Sequence, residues 1–212
     1  MSALPRTARR WLVRVYNEPM SGRDELKPAA PGVKLTYEDL LLFPDDGKRH
    51  ELIDGEHYVT PPPNIKHQTI VTNLGGMIWN YLQEHRVGRM FNVTVDVVLS
   101  NFDVVEPDVQ FISRAREGIL TKQNVRGAPD LVVEVGSPRT RKRDETIKRR
   151  LYERFGVSEY WVIDPELDTI KVYRRVDEHY VRAAELSLEN GDVLTTPQLP
   201  GLEMPLSKIF ED

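Results

Sequence analysis

Pro129-Asp130-Leu131-Val132-Val133-Glu134-Val135-Gly136-Ser137-Pro138 is an almost continuous apolar run, closed by proline at both ends, with one carboxylate in its interior. Such a run reads as a strand buried on both faces. An isolated carboxylate there must be paired, protonated or bound to a metal, so Glu134 needs a partner. Upstream, Glu106-Pro107-Asp108-Val109-Gln110-Phe111-Ile112 again sets an acid at the mouth of an apolar strand. Placed side by side, the two strands would bring Asp108 and Glu134 around one cation. Asp130 shares strand parity with Glu134, although Pro-Asp at a strand start is commonly structural.

Downstream of Pro138 the densely basic Arg139-Thr140-Arg141-Lys142-Arg143 leads into a helix from about Asp144 to Phe155. Ile147, Leu151 and Phe155 recur at intervals of four, which predicts that they face the core. Asp144, Lys148 and Tyr152 form a second stripe that borders the apolar one. Gly156 ends the helix, Glu159 to Asp164 is a further buried strand, and Thr169 to Arg174 returns beside it, with short strands and turns beyond. Upstream, Arg114 to Gly127 is polar and reads as a short helix or loop. Phe91, Val93, Val95, Val97 and Leu99 alternate with polar neighbours as one half-buried strand. A core-facing helix spans about His67 to Glu84, and His67 at its start reads as a cap or core histidine rather than a ligand. Asp54-Gly55 marks a hairpin between two short β-prone runs. Its flanking acids Glu51 and Glu56 read, from the pattern alone, as exposed charges. Thr36 to Leu40 is a capped short helix.

Composition narrows the classes. A chain of 212 residues with 40% apolar and 29% charged residues suits one soluble α/β domain with appendages. With no cysteine it has neither disulfides nor a thiolate site, which fits a reducing cytoplasm. No apolar run is long enough to span a membrane. The net charge of −4 gives no global attraction to nucleic acid, so such binding would need a local patch. Residues 1–33 differ from the rest, with Arg6, Arg9, Arg10 and Arg14 preceding any acid. They read as a flexible or loosely docked extension, in which Trp11, Leu12 and Val15 could form one apolar side, ahead of a domain over 34–212.

Taken in order, His50-Glu51-Leu52-Ile53-Asp54-Gly55-Glu56, Pro61-Pro62 with His67, Glu106-Pro107-Asp108, Ala128 to Val135, Ser137-Pro138, Asp144, Lys148, Tyr152 and Gly156 to Asp164 resemble the Uma family of restriction-endonuclease-like proteins, within the PD-(D/E)XK nuclease superfamily. The resemblance runs from about Leu35 to Phe210. It implies a mixed central β-sheet flanked by helices, with an N-terminal hairpin and a metal held by Asp108 and Glu134 on adjacent strands. Glu51 resembles the additional acid that precedes them. The superfamily pattern has lysine two residues after the second acid, where this chain has Gly136. Lys148, on the following helix, is the candidate substitute.

The chemistry is consistent with that resemblance. Phosphodiester hydrolysis needs an activated water and charge stabilisation at the phosphoryl oxygens, and hard oxygen ligands suit Mg²⁺ or Mn²⁺. Asp108 and Glu134 would hold the ion, Lys148 would orient the water or counter developing charge, and Glu51 would hold a water, a second ion or Lys148. The basic run could contact phosphates. The expectation is a Mg²⁺-dependent nuclease acting on DNA, cytoplasmic and plausibly a homodimer. The alternative is a catalytically silent fold used as a nucleic-acid-binding or protein-interaction module. A glycosidase with paired carboxylates ranks far lower, because no sugar-stacking aromatic cluster lies beside the acids.

Overall fold

The computed structural model describes residues 33–92, 95–137 and 140–211. The basic extension over 1–32, Val93, Thr94, Pro138 and Arg139 lie outside them. Helix α1 (Tyr37–Leu40) is closed by a capping box in which Thr36 and Asp39 satisfy each other's backbone. Strands β1 (Arg49–Ile53) and β2 (Glu56–Thr60) form the expected hairpin. Asp54 and Gly55 both have positive φ, at 54° and 76°, the primed turn that matches strand twist. Helix α2 (Ile65–Glu84) is capped by the Asn64 side chain. There follow β3 (Gly88–Phe91), β4 (Val97–Ser100), β5 (Asp103–Val105), β6 (Val109–Ser113), a 3₁₀ turn (Arg114–Ile119), β7 (Val125–Arg126) and β8 (Leu131–Val135). A three-part helical segment comes next, α3 (Arg141–Arg143), a π turn (Asp144–Lys148) and α4 (Arg149–Phe155), before β9 (Glu159–Asp164), β10 (Thr169–Val176), β11 (His179–Ser187), β12 (Val193–Leu194), β13 (Met204–Pro205) and α5 (Leu206–Ile209).

The central sheet runs β11-β10-β9-β8-β6-β3. Its β8–β9 pair is parallel and its other pairs are antiparallel, so the sheet is mixed. Every residue of β8 is buried, as its apolar run requires. Alternation along β8 separates two cores. Leu131, Val133 and Val135 face Ile70, Leu74 and Ile78 of α2. Val132 faces the other way, toward Leu151 and Tyr152 of α4 and toward Val97, Val105 and Val125 of a smaller sheet ordered β2-β1-β5-β4-β7. Glu134 shares the parity of Val132 and therefore points into the junction of the central sheet, α4 and the smaller sheet.

Three expectations need correction. The alternating stretch from Phe91 to Leu99 is not one strand: β3 pairs with β6 in the central sheet, whereas β4 pairs with β5 and β7 in the smaller one. Apolar and polar residues alternate in the sequence from Phe91 to Val97 regardless of the change of sheet, so periodicity conceals the crossing. The region after Arg174 is more regular than short turns, since β11 runs nine residues along β10. It is an edge strand with mostly exposed or half-buried residues, which blurs its hydrophobic pattern. Finally, Ile147 does not pack on the core: it is 38% exposed, while Leu151 is buried.

Candidate active site

The register of the two apolar strands sets the acids face to face. β6 and β8 pair Val109 with Val133, so one step further places Asp108 opposite Glu134, on the same face of the sheet. The Val135 amide donates to Asp108 Oδ2 at 2.7 Å and ties the two strand ends together. Asp108 and Glu134 line one cavity of about 360 Å³, together with Arg49, Glu51, His67, Arg143, Asp144 and Lys148.

Glu51 reaches the cavity from β1 in the smaller sheet. It is 1% exposed, so the exposed-hairpin reading fails for Glu51 and holds for Glu56. Its Oε1 accepts from the Glu106 amide at 3.0 Å and from Lys148 Nζ at 2.7 Å. Lys148 Nζ also donates to Glu134 Oε1 at 2.8 Å, and the Tyr152 hydroxyl donates to the same oxygen at 2.7 Å. The four expected residues Glu51, Asp108, Glu134 and Lys148 are thus brought together.

The π turn explains how Lys148 arrives. The Arg149 amide donates to the Asp144 carbonyl, five residues back, which inserts one extra residue into the helical turn. One residue rotates the helix face by about 100°. Asp144, Lys148 and Tyr152 therefore face inward and Ile147 outward. Gly136, where the superfamily pattern has lysine, lies just past the end of β8 against the next strand. A Cβ there would come within 3.3 Å of the Ile163 carbonyl oxygen, so a side chain at that position is crowded.

Charge is unevenly matched in this pocket. Burial works hardest against Asp108, yet His67 Nε2 at 3.1 Å, Arg49 Nη1 at 2.7 Å and the Val135 amide together hold its pKa down to about 2. Glu51 is likewise held below the usual carboxylate range, because Lys148, Arg143 and the Glu106 amide outweigh its burial. Glu134 goes the other way: burial, reinforced by Asp108, Asp144 and Glu51, outweighs Lys148 and lifts its pKa to about 8. One ammonium cannot neutralise two buried carboxylates, and Glu134 carries the excess. Burial disfavours the charge on Lys148, but Glu134, Glu51 and Asp144 more than compensate, so its pKa lies above the ordinary lysine value. Among the described residues, Glu51 Oε2, Asp144 Oδ1 and Arg143 Nε are buried without a hydrogen-bond partner.

Other candidates resolve differently. His67 is buried against Asp108 and lines the cavity, so it belongs to the site rather than to the helix cap, which Asn64 supplies through the His67 amide. Asp130 is structural: its oxygens accept from the Ser113 amide at 2.7 Å and from Arg116 at 3.0 Å. In the basic run Arg141 pairs with Asp164 and Glu166, while Arg143 lies close to Glu51 and donates to Thr60. Sequence reasoning missed Arg49, whose only local signal is a cation at the start of a hairpin strand, and gave Asp144 no role.

The carboxylates facing the cavity are hard donors, and Glu51 Oε2 and Asp144 Oδ1 accept no hydrogen bond from the described residues, with Arg143 no nearer than 3.5 Å and 3.9 Å to them. The residues therefore fit a hard divalent cation. Among the described residues no three acidic or imidazole groups form a ready-made cage. Mg²⁺ takes one or two carboxylates and keeps several waters. Among the described residues no helix is long and apolar enough to cross a membrane.

Known proteins resemble the chain at two levels. A solved structure of "a putative nuclease belonging to DUF820" from Anabaena variabilis superposes with a TM-score of 0.69 and 21% sequence identity, covering 83% of this chain and 97% of that one. At that identity it shows the fold, which is restriction-endonuclease-like. No curated protein sequence matches. The model of the Uma2 family, described as "Putative restriction endonuclease", matches residues 36–207, and the chain belongs to that nuclease-like family.

Proposed function

We propose that the protein is a metal-dependent nuclease that hydrolyses phosphodiester bonds in DNA. The observation that carries this reading is the Lys148 ammonium, wholly buried and held at 2.7 Å from Glu51 and 2.8 Å from Glu134, beside Asp108 on the neighbouring strand. Asp108 and Glu134 would hold Mg²⁺ or Mn²⁺, with Glu134 giving up its proton. When bound, the ion supplies a more acidic water and neutralises charge on the phosphoryl group. Lys148 keeps its proton because three acids surround it, so it acts as a fixed cation toward the developing phosphoryl charge and not as a general base. Glu51, pinned by the Glu106 amide, fixes the lysine head, and Tyr152 fixes Glu134. Cutting both strands of a duplex would need two such sites, and a homodimer would supply them.

The test is cleavage of single- and double-stranded DNA with Mg²⁺ or Mn²⁺ by the wild type and by Glu134→Gln. The wild type should cut, and the folded variant should not. Equal cleavage by both would reject the assignment. A second reading, a silent fold acting as a binding module, draws support from the missing lysine at Gly136 and from the pairing of Arg141 with acids. Binding of nucleic acid without cleavage across the whole panel would favour it.

A further inference from the structure

Asp108 has no oxygen free of a donor. Oδ1 accepts from Arg49 Nη1 at 2.7 Å and lies 3.1 Å from His67 Nε2, while Oδ2 accepts from the Val135 amide at 2.7 Å. Three of its roughly four lone-pair sites are taken, so a cation approaching this carboxylate meets the like charge of Arg49 and at Oδ1 must displace a donor. The Val135 amide is part of β8, and His67 is anchored in the first turn of a twenty-residue helix. Arg49 alone of the three reaches Asp108 through a long, rotatable side chain, from the first residue of β1, with a second weak hold on the Glu106 carbonyl at 3.1 Å. It also has somewhere to go. Arg49, His67 and Asp108 form a shared wall between the 360 Å³ cavity and a neighbouring one of about 620 Å³.

We propose that Arg49 is a built-in counter-cation that occupies Asp108 until the divalent ion displaces it, and that the freed guanidinium then meets the substrate phosphate. The proposal rests on the metal-dependent nuclease reading. In the ion-free protein Arg49 offsets the buried charge of Asp108, which would otherwise stand uncompensated in the low-dielectric cavity. The planar guanidinium suits phosphate by a two-pronged contact, so displacement gives it a defined new partner. Ion affinity is thereby held lower than the carboxylates alone would give, by the fraction of time that Arg49 occupies Asp108.

Mn²⁺ binding, read by electron paramagnetic resonance without DNA, separates this role from a structural one. Arg49→Gln should bind Mn²⁺ about 10-fold or more tightly than the wild type, as expected when a competitor present about 90% of the time is removed. Cleavage at saturating Mn²⁺ should fall at the same time, and Arg49→Lys should restore part of it. Arg143→Gln removes an equal charge from the same cavity without touching Asp108, and should tighten binding less. Equal tightening by both variants, or none by Arg49→Gln, would overturn the competition. Nuclear magnetic resonance of the wild type guards against a misfolded variant. The guanidinium protons of Arg49, protected while bonded to Asp108, should lose protection as Mg²⁺ is added, and unchanged protection with bound ion would overturn the proposal. If neither protein binds Mn²⁺ nor cuts DNA, the metal reading fails as well; if the wild type does both and Arg49→Gln binds no tighter, only the role of Arg49 fails.

Discussion

Strands β8 and β9 carry buried carboxylates at both ends, and the two ends are built to different rules. At the N-terminal end each acid is satisfied. Glu159 takes Trp161 Nε1 at 2.8 Å, Arg174 at 3.3 Å and the Thr196 hydroxyl at 2.8 Å, while Asp130 takes the Ser113 amide and Arg116. At the C-terminal end Asp164 is matched by Arg141 and Asp108 by Arg49 and His67, but Glu51, Glu134 and Asp144 share Lys148, one oxygen each of Glu51 and Asp144 lacks a hydrogen bond among the described residues, and Glu134 holds a proton up to about pH 8. Buried polar groups are normally satisfied, so a local failure marks a place where the fold tolerates strain for another purpose. The satisfied end stabilises the sheet. The unsatisfied end is the one that, in the proposed function, a divalent cation would complete.

The largest expected effect breaks that comparison at its centre. Glu134→Gln should lower cleavage by about 10³-fold or more, since several kcal/mol of charge stabilisation go with the ion. Its metal-free melting temperature should stay level or rise, because the amide replaces a carboxylate that the fold already keeps protonated. Asp130→Asn should behave oppositely, losing about 1–3 kcal/mol of stability with cleavage unchanged. Thermal melts and cleavage rates on the two variants would refute the contrast if both lost activity alike.

Next in size is Lys148→Ala. Metal binding should persist while the chemical step slows by about 10²-fold, the scale of one preorganised electrostatic contact. Removing the shared cation also leaves buried acids unpaired, at a cost of about 3–5 kcal/mol. Single-turnover rates at saturating metal measure the first effect and denaturant unfolding the second. An unaltered rate would leave Lys148 as structural support only.

A subtler test uses pH. The folded pKa of Glu134, about 8, lies above its ordinary value of 4.5, so the folded chain retains a proton that the unfolded chain has released. That stabilisation is complete below about pH 4.5 and is lost as pH rises through about 8. Glu106, raised to about 7 by burial and by Asp96 and Glu51, adds in the same sense. The metal-free melting temperature should therefore fall from about pH 5 to 8, less steeply in Glu134→Gln. Metal uptake near pH 7 should release protons, as calorimetry in buffers of different ionisation enthalpy would show. A flat melting profile would contradict the shift.

The smallest effect probes the helix that delivers Lys148. Ile147→Ala should change stability by no more than about 0.5 kcal/mol, whereas Leu151→Ala should cost about 2–5 kcal/mol. Equal losses would mean that the π turn does not exist in solution.

What the sequence revealed depended on how local each signal was. Asp108 and Glu134 stood out because each interrupts an apolar strand, and register then carried them together. Lys148 came from resemblance and from its stripe with Asp144 and Tyr152. The four-residue spacing held for Leu151 and misled for Ile147, because a π turn shifts helical phase without leaving a periodic trace. Arg49 and the burial of Glu51 were hidden for another reason: both depend on the smaller sheet docking against the central one, a contact between β1 and the β6–β8 ends that no short window contains. The split between β3 and β4 was lost in the same way.

The central claim is that one cation completes the unsatisfied end of the sheet. Diffraction from crystals soaked in Mn²⁺, with its anomalous signal mapped, tests it most directly. The account predicts a single strong peak touching both Asp108 and Glu134 at about 2.1 Å, with Lys148 still on Glu51. A map with no peak between those carboxylates at saturating Mn²⁺, or a peak elsewhere in the molecule alone, would contradict it.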